Sequence, residues 1–260
     1  MKKQQLDFII TSNEALNEQT FLLKVSPKNG EPIQEVYPGQ FVQILIHDSS
    51  ALFLRRPISI NYIDKEANEI WLLIQRVGKG TEKITEMTVG EELNLLFPLG
   101  NKFYIPQVDE RVLLIGGGVG TAPLLFLGKC LQEQGLKPEF LLGGRSAQDI
   151  TQLEDFKKIG TVHATTEDGS MDVKGLVTNH PVLKEKNIDR IYTCGPKPMM
   201  IAIAKYATEN KIECEASLEN HMPCGFGVCL CCVEKTKERG NVCVCTEGPV
   251  FNINELQWID

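Results

Sequence analysis

The chain has 260 residues, 42% of them hydrophobic, and its 27 lysines and arginines against 34 aspartates and glutamates give a formal net charge of −7. This apolar content excludes a disordered tail, and the negative charge argues against nucleic acid or an anionic membrane surface as the main partner. The length favours two domains, each large enough to bury a core of its own.

The first hundred residues show the pattern of a small antiparallel β-barrel. Short runs rich in β-branched and aromatic residues are separated by turns such as Pro38-Gly39, and closure of such strands removes exposed sheet edges. The predicted strands cover residues 6–10, 20–25, 40–46, 59–62, 69–77 and 92–97, with one helix at 81–87. Residues 1–108 are therefore predicted to form the first domain.

The pattern changes near residues 108–111 to alternating strands and helices. Strands are predicted at 111–115, 139–142, 162–165 and 190–194, and helices at 121–134, 149–158 and 198–210. Such alternation predicts a doubly wound parallel sheet, here in residues 109–216. Residues 217–260 lack apolar periodicity and are predicted to be a loop-rich tail, so the expected fold class is β plus α/β.

The nine cysteines are distributed unevenly. None precedes Cys130, and six fall within residues 224–245. No apolar run is long enough for a membrane span or a signal-peptide core, so we expect a cytoplasmic chain whose thiols stay reduced. Six reduced thiols in one short tract indicate a metal or cluster site.

The spacing of these thiols favours one kind of site. Cys224-x4-Cys229-x2-Cys232, followed after twelve residues by Cys245, has the C-x4-C-x2-C…C pattern of plant-type two-iron, two-sulfur sites. A zinc site is the alternative, although zinc motifs usually pair two-residue spacings. Spacing alone chooses Cys232 over Cys231 and Cys245 over Cys243.

A glycine-rich turn follows the predicted strand at 111–115 and opens a helix. Its sequence, Gly116-Gly-Gly-Val-Gly120-Thr-Ala-Pro123, offers unobstructed backbone N–H groups to a nucleotide pyrophosphate. Cys194-Gly-Pro196 ends the last predicted parallel strand and lies on the same rim of the sheet. The two turns together predict a nucleotide cleft, for which a purely structural pair of turns is the alternative.

The barrel half carries a second set of candidates. Arg55 and Arg56 beside Pro57 predict a rigid cationic edge suited to a diphosphate, and the Ser59 hydroxyl is placed to donate to a ring nitrogen. A glycine turn, Gly78-Lys-Gly80-Thr81, precedes the single barrel helix and again offers N–H groups to phosphate. A solvated strand edge is the alternative interpretation.

Taken in order, these motifs resemble the electron-transfer subunits of class B dihydroorotate dehydrogenases, within the ferredoxin reductase superfamily. The resemblance runs from about Leu6 to Phe251 and implies an FAD-binding barrel, a nicotinamide-binding domain and a two-iron cluster. It implies FAD contacts from Arg56, Pro57, Ile58, Ser59, Ile74, Gln75, Arg76, Gly80 and Thr81. It implies NAD contacts from Gly116, Gly117, Gly118, Gly120, Thr121, Pro123, Cys194, Gly195 and Pro196, and cluster ligands Cys224, Cys229, Cys232 and Cys245.

The resemblance also implies a mechanism and a partner. Electrons would pass from an FMN-containing catalytic chain through the cluster and FAD to NAD⁺, in pyrimidine (UMP) biosynthesis, within a heterotetramer of two copies of each chain. Because the cofactors carry the chemistry, no side-chain acid or base is expected, and Ser59 and Cys194 are orienting candidates.

Two alternatives share part of this pattern. A flavin and iron-sulfur subunit of another NAD(P)H-linked oxidoreductase, of the ferredoxin:NADP reductase, sulfide dehydrogenase or hydrogenase type, would carry the same cofactors. A zinc-stapled binding module would carry no flavin. The choice between NAD and NADP stays open, since Arg145-Ser146 after the second predicted parallel strand suits a 2′-phosphate equally well.

Overall fold

The computed structural model describes residues 2–46, 52–107, 109–185 and 187–258. Its first part is a closed antiparallel barrel with strand order β1-β2-β5-β4-β3-β6. The elements are β1 (Gln4–Ala15), β2 (Thr20–Pro27), β3 (Phe41–Leu45), β4 (Arg56–Asp64), β5 (Glu69–Gln75), helix α1 (Lys79–Glu86) and β6 (Glu92–Leu99). Alternating apolar side chains such as Phe8, Ile44 and Ile60 fill its interior and exclude water. The predicted barrel is confirmed.

β1, β2, β4 and β6 are longer than predicted, whereas β3 and β5 are shorter. β1 pairs with β2 and β6 and continues to Ala15 through an irregularity between Ile10 and Ser12. β4 begins at Arg56, three residues before the predicted start, because Arg56 and Pro57 already face Ile44 and Gln43 of β3. Arg56, Pro57, Ile58 and Ser59 are therefore held on one strand.

The second part is a seven-stranded sheet of order β10-β9-β8-β7-β11-β12-β15. The elements are β7 (Val112–Gly117), α2 (Ala122–Glu133), β8 (Glu139–Gly144), α3 (Leu153–Ile159), β9 (Thr161–Thr166), β10 (Val173–Lys174), β11 (Arg190–Cys194), α4 (Lys197–Asn210), β12 (Glu213–Ser217), β13 (Val233–Lys235), β14 (Asn241–Cys243), α5 (Val244–Glu247) and β15 (Val250–Asn252). All neighbours from β10 to β12 are parallel, which confirms the doubly wound sheet.

The predicted helix at 149–158 is wrong at its start. A single 3₁₀ turn covers Ala147–Asp149, and α3 begins only at Leu153. Gln152, between them, has a left-handed φ of 55°, a conformation that interrupts a right-handed helix.

The cysteine tail is integrated into both other parts. β15 pairs antiparallel with β12, so that Phe251 faces Ala216 at the edge of the sheet. Phe251 and Cys245 share a buried cluster with Phe41 and Leu99 of the barrel. The rest of the tail includes the short hairpin β13-β14.

One predicted boundary falls on Val108, which lies outside the described residues. Within the described ranges, no helix combines the length and apolar character that crossing a membrane demands.

Candidate functional site

A cavity of about 530 Å³ opens at the carboxyl ends of the parallel strands. β7 is the first strand of the seven-stranded sheet in chain order; β8, β9 and β10 add on one side of it before β11 adds on the other. Ligands of open α/β sheets bind at this switch point, and the volume suits a nucleotide-sized molecule. The two predicted turns meet here, since Gly116 pairs with Cys194 across β7 and β11.

Glycines allow the backbones of the two turns to come into direct contact. A Cβ on Gly120 would clash with the backbone of Gly195, and one on Gly117 would lie 2.7 Å from Sδ of Met199. Gly118 adopts a left-handed φ of 56° and borders the cavity, with nothing within 4 Å of its missing side chain. The turn therefore leaves its backbone accessible to a ligand, as phosphate binding requires.

The predicted NAD residues divide into two groups. Those that line the cavity are Gly117, Gly118, Gly120 and Pro196. The others, Gly116, Thr121, Pro123, Cys194 and Gly195, are buried behind this surface. Thr121 ties the turn together by donating its hydroxyl to the Gly118 carbonyl at 3.0 Å.

Much of the cavity wall comes from segments without a recognisable motif. Residues of this wall that the sequence reasoning did not assign to the site include Gly143, Gly144, Asp149, Thr165, Glu167, Leu176, Met199 and Glu219. All of them lie in the last two residues of a parallel strand or after its end. The available signal was positional, because every strand end on this rim of a parallel sheet faces the ligand.

The predicted orienting residue Cys194 is fully buried beside a cavity carboxylate. Its thiol lies 3.9 Å from Oε1 of Glu219, which borders the cavity. Burial raises the pKa of Cys194 well above its usual value, and the Glu219 carboxylate acts in the same direction. Burial also raises the pKa of Glu219, while the Cys194 thiol opposes this by donating to it. The pair therefore presents a protonated thiol to the carboxylate.

On the barrel, β4 and the start of α1 form a second candidate site. Gly80 has no room for a Cβ because the guanidinium of Arg56 occupies that space. The arginine is thus held against the first turn of α1, where backbone N–H groups point outward, and such a cradle fits a phosphate or diphosphate. Arg55 instead donates to the Asn94 side chain at 2.6 Å and to the Gln43 carbonyl at 3.1 Å, which links barrel strands.

The other predicted FAD residues lie around this cradle in different environments. Ser59 is half-buried on β4 opposite Phe41. Ile74 is fully buried in the barrel interior, so only its backbone faces outward. The Arg76 guanidinium donates to Thr85 at 2.7 Å and stacks on the ring of Phe21 at 4.1 Å.

Gln75 and Thr81 complete the predicted FAD set. Gln75 follows the buried part of β5 and borders the 530 Å³ cavity. The Thr81 hydroxyl accepts from the Val77 N–H and donates to the Gly78 carbonyl, both at 3.0 Å, and so shapes the turn before α1.

The four predicted cluster ligands form two pairs. The thiols of Cys224 and Cys229 interact with each other, as do those of Cys232 and Cys245, and the surplus thiols Cys231 and Cys243 interact with Cys229 and Cys232 in turn. Among the described residues, no three His, Cys, Asp or Glu side chains converge as they would around a single metal ion. Four cysteines in one tract are the donor set that a two-iron, two-sulfur cluster takes, with two cysteines on each iron.

Hydrogen bonds distinguish three of the four predicted ligands, Cys224, Cys232 and Cys245, from the surplus thiols Cys231 and Cys243. Backbone N–H groups donate to Sγ of Cys224 at 3.4 Å, of Cys232 at 3.4 Å and of Cys245 at 3.3 Å. Cys231 and Cys243 act in the opposite sense, each donating to a backbone carbonyl at 3.6 Å. N–H donation stabilises sulfur that carries negative charge, as ligated sulfur does.

The pKa values of two predicted ligands, Cys224 and Cys245, shift in opposite directions. Desolvation, the largest single influence on Cys224, opposes ionisation, but several backbone N–H donors together lower its pKa to about 6. Burial raises the pKa of Cys245 to about 12. Ionising this buried thiol requires nearby positive charge, which metal ions supply to their ligands.

A closed antiparallel barrel joined to a doubly wound sheet, with a nucleotide-sized cavity at the switch point, defines the ferredoxin reductase-like class of oxidoreductase components. A solved NADH-dependent reduced ferredoxin-NADP oxidoreductase superimposes with a TM-score of 0.85 and 28% identity, covering 96% of this chain and 90% of that one. The ferredoxin reductase of carbazole 1,9a-dioxygenase shares the fold at a TM-score of 0.69 and 19% identity, covering 82% of this chain and 67% of that one.

Sequence comparison identifies the family. The profile of the iron-sulfur cluster binding domain of dihydroorotate dehydrogenase B matches residues 219–257. The dihydroorotate dehydrogenase B (NAD⁺) electron transfer subunit of Lysinibacillus sphaericus is 40% identical over 86% of this chain and 88% of its own length. The subunit of the same name from Shouchella clausii is 35% identical over 98% of this chain and 99% of its own length. The chain belongs to the family of dihydroorotate dehydrogenase B (NAD⁺) electron transfer subunits, which confirms the resemblance.

Proposed function

We propose that the chain carries electrons from an FMN-containing dihydroorotate dehydrogenase catalytic subunit, through a [2Fe-2S] cluster and FAD, to NAD⁺. In this role it serves pyrimidine biosynthesis in the cytoplasm as part of a heterotetramer with two copies of each chain. The relatives named above support the reaction, and the arrangement of the three candidate sites supports the route.

The main support for the proposal is that the cysteine loop packs against β3 and β6 of the barrel, of which β3 pairs with β4, the strand that carries several of the predicted FAD residues. The Gln43 amide on β3 donates to the Met222 carbonyl, and a Cβ on Gly225 would lie 2.9 Å from Cδ1 of Leu99. Gln43 in turn pairs with Pro57 on β4. The loop that begins at Cys224 is therefore one strand away from the predicted flavin strand.

The FAD candidates also lie close to the nucleotide cavity. β5 packs against the glycine turn at residues 118–121, and Gln75 at its end borders the nucleotide cavity. Asn61 on β4 donates to the Ala122 carbonyl at 3.0 Å, which fixes the barrel against the start of α2. The FAD candidates thus lie between the cysteine loop and the NAD cavity.

Within this arrangement the chain's own residues bind and orient. When bound, the cluster exchanges single electrons and the flavin exchanges either one electron or a hydride, which links one-electron and two-electron carriers. Arg56 and the first turn of α1 would hold the FAD diphosphate, and Gly117 to Gly120 the NAD pyrophosphate. Cys224, Cys229, Cys232 and Cys245 would hold the cluster, supported by the N–H groups of Phe226 and Gly227.

The partner would dock over the cysteine loop. Phe226, Val228 and Leu230 are 50%, 76% and 64% exposed, and they flank Cys229, which is itself exposed. An exposed group of large apolar side chains is typical of a protein interface. We call Phe226, Val228 and Leu230 the apolar collar. A partner bound to this collar would bring its own cofactor close to the cluster.

A ferredoxin-linked reductase is the second candidate, because the solved ferredoxin-NADP oxidoreductase covers almost the whole chain. The higher identity to dihydroorotate dehydrogenase subunits, 35–40% against 28%, favours the first proposal. The two functions differ in the electron donor.

The test is anaerobic co-expression with an FMN-containing dihydroorotate dehydrogenase chain, followed by cofactor analysis and a dihydroorotate-dependent NAD⁺ reduction assay. We expect a co-purifying complex with FMN, FAD, iron and sulfide that reduces NAD⁺ only when both chains are present. Purified protein without flavin or iron would contradict the proposal. Turnover with reduced ferredoxin but not with the catalytic subunit would replace it with the second candidate.

A further inference from the structure

The wall of the nucleotide cavity beyond β8 and β9 is rich in carboxylates. Glu167 follows the end of β9 and borders the cavity with an exposed side chain, and Asp149 borders it after β8. The positively charged residue in this part of the cavity wall is Arg145. Asp168, also exposed, adds a third negative charge next in sequence to Glu167.

This wall lies at the adenosine end of a dinucleotide bound as proposed above. With the pyrophosphate at Gly117 to Gly120, the nicotinamide must point to Gln75 and the barrel, where a flavin would meet it. The adenosine half then extends across β8 to β9, since the sheet order β9-β8-β7 leads away from β11. Neighbouring strands lie about 4.8 Å apart, so β9 is about 10 Å from the turn, within reach of an adenosine ribose.

The backbone donors after β8, which would otherwise suit a phosphate, are already engaged. Asp149 accepts from the Ser146 N–H at 2.9 Å and from its hydroxyl at 3.3 Å. The next N–H, of Ala147, donates to the Ser170 hydroxyl at 2.8 Å. The N–H groups of Ser146 and Ala147 are therefore bonded within the protein.

From these observations we propose that Glu167 makes the cavity selective for dinucleotides with a free ribose 2′-hydroxyl and rejects those with a 2′-phosphate. A ribose hydroxyl donates to the Glu167 carboxylate, whereas a phosphate dianion meets like charge from Glu167 and Asp149. Asp149 contributes further by keeping the Ser146 donors engaged. This inference rests on the proposed nucleotide site and adds its specificity.

The test measures binding of two fragments that lack nicotinamide, ADP-ribose and 2′-phospho-ADP-ribose, to the cofactor-loaded full chain by calorimetry. We expect wild-type protein to bind ADP-ribose at least about tenfold more tightly, and Glu167→Gln to reduce that ratio by about tenfold. Glu167→Arg should invert the preference. Glu154→Gln, the same substitution at an exposed position on α3 outside the cavity wall, should leave the ratio at its wild-type value.

Each result decides between the inference and the function on which it rests. Equal wild-type affinity for the two fragments, or a Glu167→Gln ratio equal to that of Glu154→Gln, would overturn the specificity role while leaving the nucleotide site intact. Failure of wild-type protein to bind either fragment would overturn the nucleotide site itself, and the role of Glu167 with it. Steady-state KM values for NADH and NADPH with ferricyanide as acceptor should follow the same ratios.

Discussion

Cys231 and Cys232 are adjacent in the chain but differ in environment. Cys232 is fully buried and its sulfur accepts the Cys245 N–H, whereas Cys231 is exposed and donates to the Cys229 carbonyl. We therefore predict that Cys232→Ser abolishes the electron paramagnetic resonance signal of the reduced two-iron cluster, and that Cys231→Ser retains it. Iron content and the spectrum of dithionite-reduced protein check both variants. Loss of the signal in the Cys231 variant alone would reverse the ligand assignment.

Gly120 offers a test of the contact between the two nucleotide-binding turns. Because a Cβ there would clash with the Gly195 backbone, Gly120→Ala must push the turns apart. We expect the Kd for NADH to rise by about tenfold or more and the free energy of unfolding to fall by roughly 1–3 kcal/mol.

Gly90→Ala separates the loss of binding from the loss of stability. Gly90 has a left-handed φ of 93° and nothing within 4 Å of its missing side chain, and it lies outside the cavity wall. Its substitution should lower stability by about 1 kcal/mol and leave the Kd for NADH unchanged. An NADH Kd that rises equally in both variants would show that the contact between the turns is unimportant for binding.

At the scale of elements, the segment between β9 and β11 is held to the sheet by two histidines. His180, buried just before a 3₁₀ turn at Pro181–Lys184, accepts the Val182 N–H at 3.1 Å through Nδ1. Its Nε2 lies 3.4 Å from Asp172, and its ring is 5.0 Å from that of His163 on β9. Asp172 in turn accepts the Ala164 N–H at 2.9 Å, so the segment and the strand move together.

This arrangement makes the stability of the segment depend on pH. Burial lowers the pKa of His180 below its ordinary 6.5, and His163 lowers it further, while Asp172 and Glu185 oppose the shift. The unfolded chain therefore takes up the proton first, and the contribution of neutral His180 is complete above pH 6.5 and is lost as the pH falls through its folded pKa.

We predict that the melting temperature of wild-type protein falls more steeply between pH 7.5 and 5.5 than that of His180→Asn, in which an amide replaces the titrating ring. His221→Asn, at an exposed position, should follow the wild-type curve. Parallel curves for wild-type protein and His180→Asn would refute the role of His180.

At the scale of the whole molecule, the sequence predicted what is encoded locally. The barrel and the alternating half have strand and helix periodicities that can be recognised within ten residues, and both are present. β12 and β15 were not predicted, because they become strands by pairing with each other and, for β12, with β11, across distances that no local pattern shows. The start of α3 was misplaced because the left-handed conformation of Gln152 has no signal in the residue type.

The same distinction between local motifs and long-range contacts applies to the candidate site. The glycine turn is a contiguous motif that the structure forms locally, and the cysteine spacing is a motif that can be recognised within residues 224–245. Glu167 and Glu219 belong to no motif, since their place in the cavity depends on which strand ends share a rim. The engagement of Arg55 with Asn94 likewise depends on barrel closure, which places residues 39 positions apart side by side.

The assembly with a catalytic chain gives the prediction that belongs to the whole molecule. The apolar collar of Phe226, Val228 and Leu230 surrounds the part of the cysteine loop that faces solvent. Val228→Asp places a charge in its centre, and burying that charge in an interface would cost binding energy without changing the NAD cavity. We expect the Kd for the catalytic chain to rise by about tenfold or more, with dihydroorotate-dependent NAD⁺ reduction falling accordingly at limiting partner concentration.

Val89→Asp is the matched control, because Val89 is 65% exposed and lies on the turn between α1 and β6, away from the cysteine loop. It should leave the Kd for the catalytic chain unchanged. NADH oxidation with ferricyanide as acceptor, which needs no partner, should be unchanged in both variants, and an unchanged cluster spectrum shows that Val228→Asp leaves the cluster intact. Equal partner affinity in the two variants would place the docking surface elsewhere, because a charge at the centre of a dry interface cannot remain hydrated when the partner binds.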